Sequence, residues 1–64
     1  MELKNKLKEL RKEKGLTQKE LAKKLNISVT GYASWEQGLA EPNLNTIKTI
    51  CKIFNISADE LLDL

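Results

Sequence analysis

Hydrophobic residues recur along the chain at intervals of three and four, which is the period of helices that each bury one face. The first such stretch predicts a helix from about Glu2 to Lys14, ended by Gly15. A later stretch begins at Asn43, directly after Pro42. The apolar stripes of these two helices are formed by Leu3, Leu7 and Leu10, and by Leu44, Ile47, Ile50, Cys51 and Phe54.

The middle of the chain has the pattern of two short helices joined by a tight turn. Thr17 and Glu20 match the reciprocal pair of a capping box, which marks the start of the first of these helices. Asn26 tolerates the left-handed conformation that ends a helix, and Ser28 is a suitable N-cap for the next one. Because only Asn26 and Ile27 separate the two helices, the second must leave at a steep angle. The pattern therefore predicts a helix-turn-helix.

A last helix is predicted near the C-terminal end of the sequence. It begins at Ser57, with Glu60 completing a second capping box. Its apolar contacts are supplied by Leu61, Leu62 and Leu64. The stretch from Leu39 to Pro42 is predicted to be a loop. In total we expect five helices and no sheet.

The length of the chain limits its organisation. Sixty-four residues leave room for one small core, because a chain this short buries only about 60% of its unfolded surface. We expect a single domain over residues 1–64, with the helix-turn-helix at residues 17–37.

The helix that starts at Ser28 has two different faces. Gly31, Tyr32 and Trp35 fall on one face, which is predicted to be directed at the core. We expect Gly31 to permit a close approach to Ala22, and Trp35 to be a core anchor rather than a platform on which bases stack. The opposite face carries short side chains and consists of Val29, Thr30, Ala33, Ser34 and Gln37.

Several motifs follow one another in a fixed order. They are TQKELA at residues 17–22, then Leu25, Ile27 and Ser28, then WEQG at residues 35–38 and EPN at residues 41–43. With these motifs, and with the upstream stretch at residues 7–16, the chain resembles the Cro and phage-repressor family of XRE-type helix-turn-helix proteins. The resemblance spans nearly the whole chain. It implies an all-α, compact five-helix, lambda-repressor-like fold and a DNA-binding function.

The resemblance also implies a structural role for two residues, and at one position this chain differs from the family's usual residue. Arg11 and Glu36 correspond to the family's ion pair, which links the first helix to the end of the third. Tyr32 stands where the family usually has Ile or Val. Its hydroxyl must find a partner or reach the surface, where a phosphate is one candidate.

The outward face of the third helix is the candidate for base recognition. A major groove admits one helix, and side chains near the start of that helix contact the base edges. The candidates for base contact are Val29, Thr30, Ala33 and Ser34. Family members often carry Arg, Gln or Lys at some of these positions, and this chain does not. We expect discrimination to depend on apolar contact with thymine methyl groups, on adaptable hydroxyls and on DNA shape. The alternative is an ordinary exposed helix surface.

Other polar residues are candidates for phosphate contact. Gln18 and Lys19 lie in the first turn of the second helix, where free backbone N–H groups and the positive end of the helix dipole favour an anion. By resemblance, Gln18 binds phosphate, with Gln37 and Asn43 as its partners across the groove. Asn45 lies in the same first turn as Asn43 and is expected to share its role. For Asn43, capping its own helix is an equally good explanation.

The net charge of +2 is divided unevenly along the chain. Residues 1–27 contain nine Lys or Arg and four Glu, a net +5, whereas residues 28–64 contain two Lys and five acidic residues, a net −3. A basic half facing phosphate is consistent with DNA binding. Lysines that only solvate the outer faces of the first two helices would give the same distribution.

The composition argues against several other functions. There is no histidine, no Gly-rich phosphate loop and no convergent carboxylate pair, so we do not expect an enzyme. A single cysteine excludes an intrachain disulfide, and we expect no metal and no cofactor. Cys51 lies on an apolar stripe and is predicted to be core. The sequence shows no signal peptide or membrane span, so we expect a cytoplasmic, nucleoid-associated protein.

The sequence thus predicts a sequence-specific DNA-binding regulator, most simply a prokaryotic or phage repressor. A monomer covers one half-site, so we expect a homodimer on double-stranded DNA with a roughly palindromic operator. Leu62 and Leu64 are candidates for the dimer surface, but they could equally complete the core. Alternatively, the chain is the DNA-binding piece of a longer repressor. A further alternative is an antitoxin or protein-interaction module of the same fold, which binds a partner protein.

Overall fold

The computed structural model describes residues 3–63, and within them the chain forms five helices and no strand. The helices are α1 (Leu3–Glu13), α2 (Gln18–Lys24), α3 (Val29–Glu36), α4 (Leu44–Phe54) and α5 (Ala58–Leu62). The expected all-α fold with five helices is confirmed. The longest of these helices have 11 residues, and none is long and apolar enough to cross a membrane. The predicted start of α1 at Glu2 lies outside the described residues.

Side-chain caps begin four of the helices. The oxygens that accept from a backbone N–H in the first turn belong to Thr17, Ser28, Asn43 and Ser57. At α2 the Glu20 carboxylate also accepts from the Thr17 N–H at 2.8 Å, so the predicted capping box is complete. Because these caps involve residues only three apart, the sequence locates the helix starts well.

The second predicted capping box, at α5, is wrong in one half. Ser57 Oγ accepts from the Glu60 N–H at 3.1 Å, but Glu60 makes no return bond to the Ser57 backbone. Glu60 instead lines a crevice against α1 with Asn5 and Lys6. An exposed carboxylate at such a crevice keeps its water and gains little by returning to its own backbone.

The turn between α2 and α3 depends on one left-handed residue. Asn26 has a φ of +59°, its N–H donates to Lys23 O at 3.0 Å, and the Ile27 N–H donates to Ala22 O at 3.0 Å. This pair of hydrogen bonds is the Schellman arrangement that reverses the chain at a helix end. Ser28 then caps α3 at once, so α2 and α3 are joined as the helix-turn-helix that the sequence predicts.

The core draws on all five helices. Its buried hydrophobic side chains are Leu3, Leu7, Leu10, Leu21, Ala22, Leu25, Tyr32, Ile50, Phe54 and Leu61. Trp35 is half-buried, packs against this cluster, and meets the Tyr32 ring edge-on with 5.7 Å between ring centroids. It is therefore a core anchor, as expected. Leu62 also packs partly buried against the core, whereas Leu64 lies outside the described residues.

Cys51 is partly buried and packs against the same cluster. Burial raises the pKa of its thiol above the ordinary value, because the thiolate would lose water. The thiol is thus kept in its less nucleophilic protonated form.

The expected close approach of Gly31 to Ala22 is wrong. A Cβ built at Gly31 would instead lie 3.0 Å from Ser28 Oγ, with no other neighbour within 4 Å outside the local backbone. Ser28 Oγ occupies this position because it accepts the Gly31 N–H in capping α3. The small residue is therefore explained by the cap of its own helix, not by the crossing of α2 and α3.

Candidate nucleic-acid interface

Glu36, at the end of α3, lies under the helix-turn-helix and is paired with Arg11 of α1. Arg11 Nε donates to Glu36 Oε2 at 2.7 Å, and Arg11 Nη2 donates to Glu36 Oε1 at 3.2 Å. The two side chains are only 12% and 3% exposed. Arg11 Nη1 also donates to the Leu16 carbonyl at 2.9 Å. The ion pair expected from the resemblance is thus present as a two-point, nearly buried contact between α1 and α3.

Two further side chains donate to the same carboxylate. Gln18 Nε2, from the first turn of α2, donates to Glu36 Oε1 at 3.0 Å. The Tyr32 hydroxyl donates to Glu36 Oε2. Tyr32 is fully buried, so its hydroxyl finds its partner inside the protein, and the suggested phosphate contact is wrong. We call the set of Arg11, Gln18, Tyr32 and Glu36 the Glu36 network.

The Glu36 network shifts the pKa values of its members. Burial raises the pKa of the Glu36 carboxyl, but the hydrogen bonds from Arg11, Tyr32 and Gln18 together lower it below its ordinary value. Burial, followed by the bond to Glu36, raises the pKa of the Tyr32 hydroxyl. The bond to Glu36 raises the pKa of Arg11. The network is therefore a nearly buried ion pair, with a neutral phenol and a neutral amide donating to the carboxylate.

The opposite side of α3 faces away from this network. We call the set of Val29, Thr30, Ala33, Ser34 and Gln37 the outer face of α3. Val29, Thr30 and Gln37 are exposed, and Ala33 and Ser34 are half-buried. Ser34 Oγ donates to the Gly31 carbonyl at 2.6 Å, so its proton is used within α3 and the hydroxyl can offer DNA an acceptor. Together with Leu39 these residues line a shallow concavity of about 290 Å³.

The candidates for phosphate contact come from the start of α2, the end of α3 and the start of α4. Lys19 is exposed and shares a groove of about 480 Å³ with Lys23 and Val29, between α2 and the start of α3. Asn43 Oδ1 accepts from the Thr46 N–H at 2.9 Å, so Asn43 is the cap of α4. Its amide nitrogen makes no hydrogen bond within residues 3–63 and can still donate. Asn45 is exposed in the same turn.

Gln18 differs from the other candidates for phosphate contact. One hydrogen of its amide nitrogen is directed at Glu36, which leaves the second hydrogen available to a phosphate. The Gln18 amide can therefore still donate to a phosphate, in an orientation that its bond to Glu36 fixes.

One residue at this surface was not singled out from the sequence. Leu39 follows the last turn of α3, is 77% exposed and lines the same concavity as the outer face of α3. In the sequence, Leu39 stands out only as an apolar residue in a predicted loop. Its position beside α3 depends on the fold, because the Leu39 N–H returns to the Ser34 carbonyl at 2.9 Å.

A helical domain that presents the second helix of a helix-turn-helix outward, with cations beside it, belongs to the class that binds DNA grooves. The family model described as Helix-turn-helix matches residues 7–61. The chain therefore belongs to the XRE-type helix-turn-helix family of transcriptional regulators, as its motifs predicted. Members of this family are regulators and not enzymes, which agrees with the expectation from composition.

Two bacterial relatives cover nearly all of this chain. It is 45% identical over 62 residues to the HTH-type transcriptional activator BcrR of Enterococcus faecalis, with 97% of this chain and 30% of that protein covered. It is 39% identical over 62 residues to the HTH-type transcriptional regulator ImmR of Bacillus subtilis, with 97% and 49% covered. The chain thus spans less than half the length of either relative.

A solved structure has the same fold. A crystal structure of a transcriptional regulator from Listeria innocua superimposes with a TM-score of 0.88 and 29% sequence identity. The match covers 92% of this chain and 55% of that one.

Proposed function

We propose that this chain binds specific sequences in double-stranded DNA by placing α3 in the major groove, and that it represses transcription in a prokaryote or a phage. The observation that carries the proposal is the contrast across α3. Its inner side is held by the Glu36 network, and its outer face begins at Val29, which is exposed beside Lys19 and Lys23. A helix fixed on one side and open on the other meets the geometric demand of groove recognition.

The proposed base contacts are four residues of the outer face of α3, namely Val29, Thr30, Ala33 and Ser34. None of these side chains is long enough for a two-point contact with guanine or adenine. Specificity then depends on apolar contact with thymine methyl groups, on the Thr30 and Ser34 hydroxyls and on sequence-dependent DNA shape.

The proposed phosphate contacts come from three helix ends. Gln18 and Lys19 are in the first turn of α2, Gln37 is at the end of α3, and Asn43 and Asn45 are at the start of α4. Polar groups of this kind fix the orientation of a domain on the duplex without selecting a sequence. Binding to chromosomal DNA would place the protein in the cytoplasm, with the nucleoid.

We further propose that the functional unit is a homodimer on a roughly palindromic operator. One α3 covers only a half-site, and a two-fold axis doubles the number of base contacts. Repression is the simpler outcome because occupancy alone blocks polymerase, whereas activation needs an additional contact with polymerase. Sedimentation at micromolar concentration tests the dimer, and a reporter downstream of the selected site tests the direction of regulation.

The central experiment is selection of bound genomic fragments with the purified chain, followed by titration of the enriched sequence and of random DNA. We expect one motif with two related half-sites about 10 base pairs apart and binding at least about a thousandfold tighter than to random DNA. If no sequence is enriched, the proposal fails. A tight complex with a second protein, with no binding to any genomic fragment, would favour the antitoxin alternative.

A further inference from the structure

Leu39 is an exposed apolar side chain at the edge of the proposed DNA-binding surface. Within residues 3–63 the exposed large hydrophobic side chains are Leu39 at 77%, Leu44 at 67% and Val29 at 44%. Leu39 therefore contributes little to the core. A single exposed leucine is common on protein surfaces, so the feature that distinguishes Leu39 is the concavity that it lines.

The backbone holds Leu39 beside α3. Gly38 has a φ of +79°, and the Leu39 N–H donates to the Ser34 carbonyl at 2.9 Å. This turn brings Leu39 to the concavity of about 290 Å³ that the outer face of α3 also lines. Leu44 does not line that concavity.

The chemistry of the concavity limits what it can bind. Its lining residues are Val29, Thr30, Ala33, Ser34, Gln37 and Leu39, none of which is charged. Among the base edges of the major groove, thymine alone presents an apolar group, its 5-methyl. An uncharged concavity with leucine and valine on its walls complements that methyl group better than it complements guanine or cytosine.

We propose that Leu39 is a specificity-determining residue that packs against the 5-methyl group of a thymine in the half-site. This inference rests on the proposed function, because it requires α3 to lie in the major groove. Continuity with the outer face of α3 favours DNA over a second protein. Five of the six lining residues belong to that face, and a protein placed there would exclude DNA.

The test uses deoxyuridine, which lacks the thymine methyl group and keeps the same hydrogen-bonding groups. Each thymine of the selected operator is replaced in turn, and binding of the 64-residue chain is titrated. For the unaltered chain we expect a loss of about fourfold at the position that Leu39 contacts, the ratio for one buried methyl group. Leu39→Ala should lose the response at that position and keep it at thymines that contact Val29.

Two variants serve as controls. Leu44→Ala removes another largely exposed leucine, outside the concavity, and should keep the full response to deoxyuridine. Leu39→Met keeps the apolar volume and should retain most of the response. Circular dichroism checks that each variant is folded, which the exposure of both leucines leads us to expect.

The results separate this inference from the function on which it rests. If the chain binds its operator specifically but Leu39→Ala responds to every deoxyuridine as the unaltered chain does, the inference fails and the proposed function stands. The inference also fails if the selected half-sites contain no thymine. It fails likewise if Leu39→Ala changes the self-association of the chain but not its discrimination of thymine from deoxyuridine. If no sequence is selected at all, both fail together.

Discussion

The two sides of α3 satisfy different physical demands. On the inner side, the Glu36 carboxylate accepts four hydrogen bonds from three side chains, and Tyr32 is fully buried beside it. On the outer face of α3, the side-chain hydrogen bond of Ser34 stays within the helix. The inner side thus joins α3 to its neighbours, and the outer face leaves its groups for another molecule.

Within the eight residues of α3, the side chains that stabilise the fold are thus different from those available for recognition. A buried charge is tolerated only when its hydrogen-bonding capacity is filled, so the inner side has little freedom to change. An exposed face carries no such constraint. Substitutions on the inner side should therefore change the free energy of unfolding, and substitutions on the outer face should change DNA affinity.

The largest effect is expected for Glu36→Gln. The amide puts an NH₂ group where an oxygen now accepts hydrogen bonds, and it leaves Arg11 without its counter-charge. We expect the free energy of unfolding to fall by about 3 kcal/mol, as measured by urea denaturation.

Glu9→Gln is the matched control for Glu36→Gln. Glu9 pairs with Lys6 across 3.8 Å on the surface, and its side chain is 63% exposed. The loss of this pair should cost no more than about 0.5 kcal/mol. Equal losses for the two variants would contradict the special role of the inner side.

Val29→Ala tests the outer face of α3. We expect specific DNA affinity to fall by about 1 to 3 kcal/mol, with random-DNA affinity and the free energy of unfolding nearly unchanged. Thr30→Ala should behave in the same way. If either variant loses operator and random DNA binding equally, the direct contact with bases is refuted.

Tyr32→Phe should have an intermediate effect on the inner side. It keeps the ring that packs against Trp35 and removes the hydroxyl that donates to Glu36. We expect a loss of about 1 to 2 kcal/mol in the free energy of unfolding, the value of a hydrogen bond to a charged group. A variant as stable as the unaltered chain would show that the hydroxyl adds nothing to the network.

The stabilities of the unaltered chain and of Tyr32→Phe should also depend differently on pH. Glu36 has a lowered pKa, so the stability from its ionised form is fully present above the unfolded value of about 4.3 and is lost as pH falls through the folded value. The Tyr32 hydroxyl stabilises that ionised form. The stability difference between the unaltered chain and Tyr32→Phe should therefore shrink between pH 7 and pH 3. A difference that is constant over this range would contradict the assignment.

The smallest effect is expected for Lys19→Ala. It should weaken binding to operator and random DNA alike and reduce the slope of log affinity against log salt by about one unit. Lys52→Ala is the control, because Lys52 lies in the last turn of α4, about 13 Å along the helix from the Asn43 end. If both variants change the slope equally, the lysines act only through overall charge.

Local patterns in the sequence predicted most of the helix starts and the course of the turn. The caps at Thr17, Ser28 and Asn43 and the left-handed Asn26 depend on neighbouring residues, so they could be predicted without the fold. Each error concerned which of several neighbours a residue would meet. Glu60 lies at a crevice against α1 rather than on its own cap, and Gly31 meets Ser28 Oγ of its own cap instead of Ala22 on α2.

The sequence by itself determined the five helices, the family and the two-faced character of α3, because periodicity, capping and motif order are local properties. Only the tertiary structure decided how the buried polar groups were satisfied and which exposed groups share one surface. It directed Gln18 of α2 at the Glu36 carboxylate of α3 and brought Leu39 to the outer face of α3. Gln18 and Glu36 lie on different helices, and Leu39 lies beyond the turn that ends α3. The geometry of these contacts exists only once the core has fixed the helices against one another.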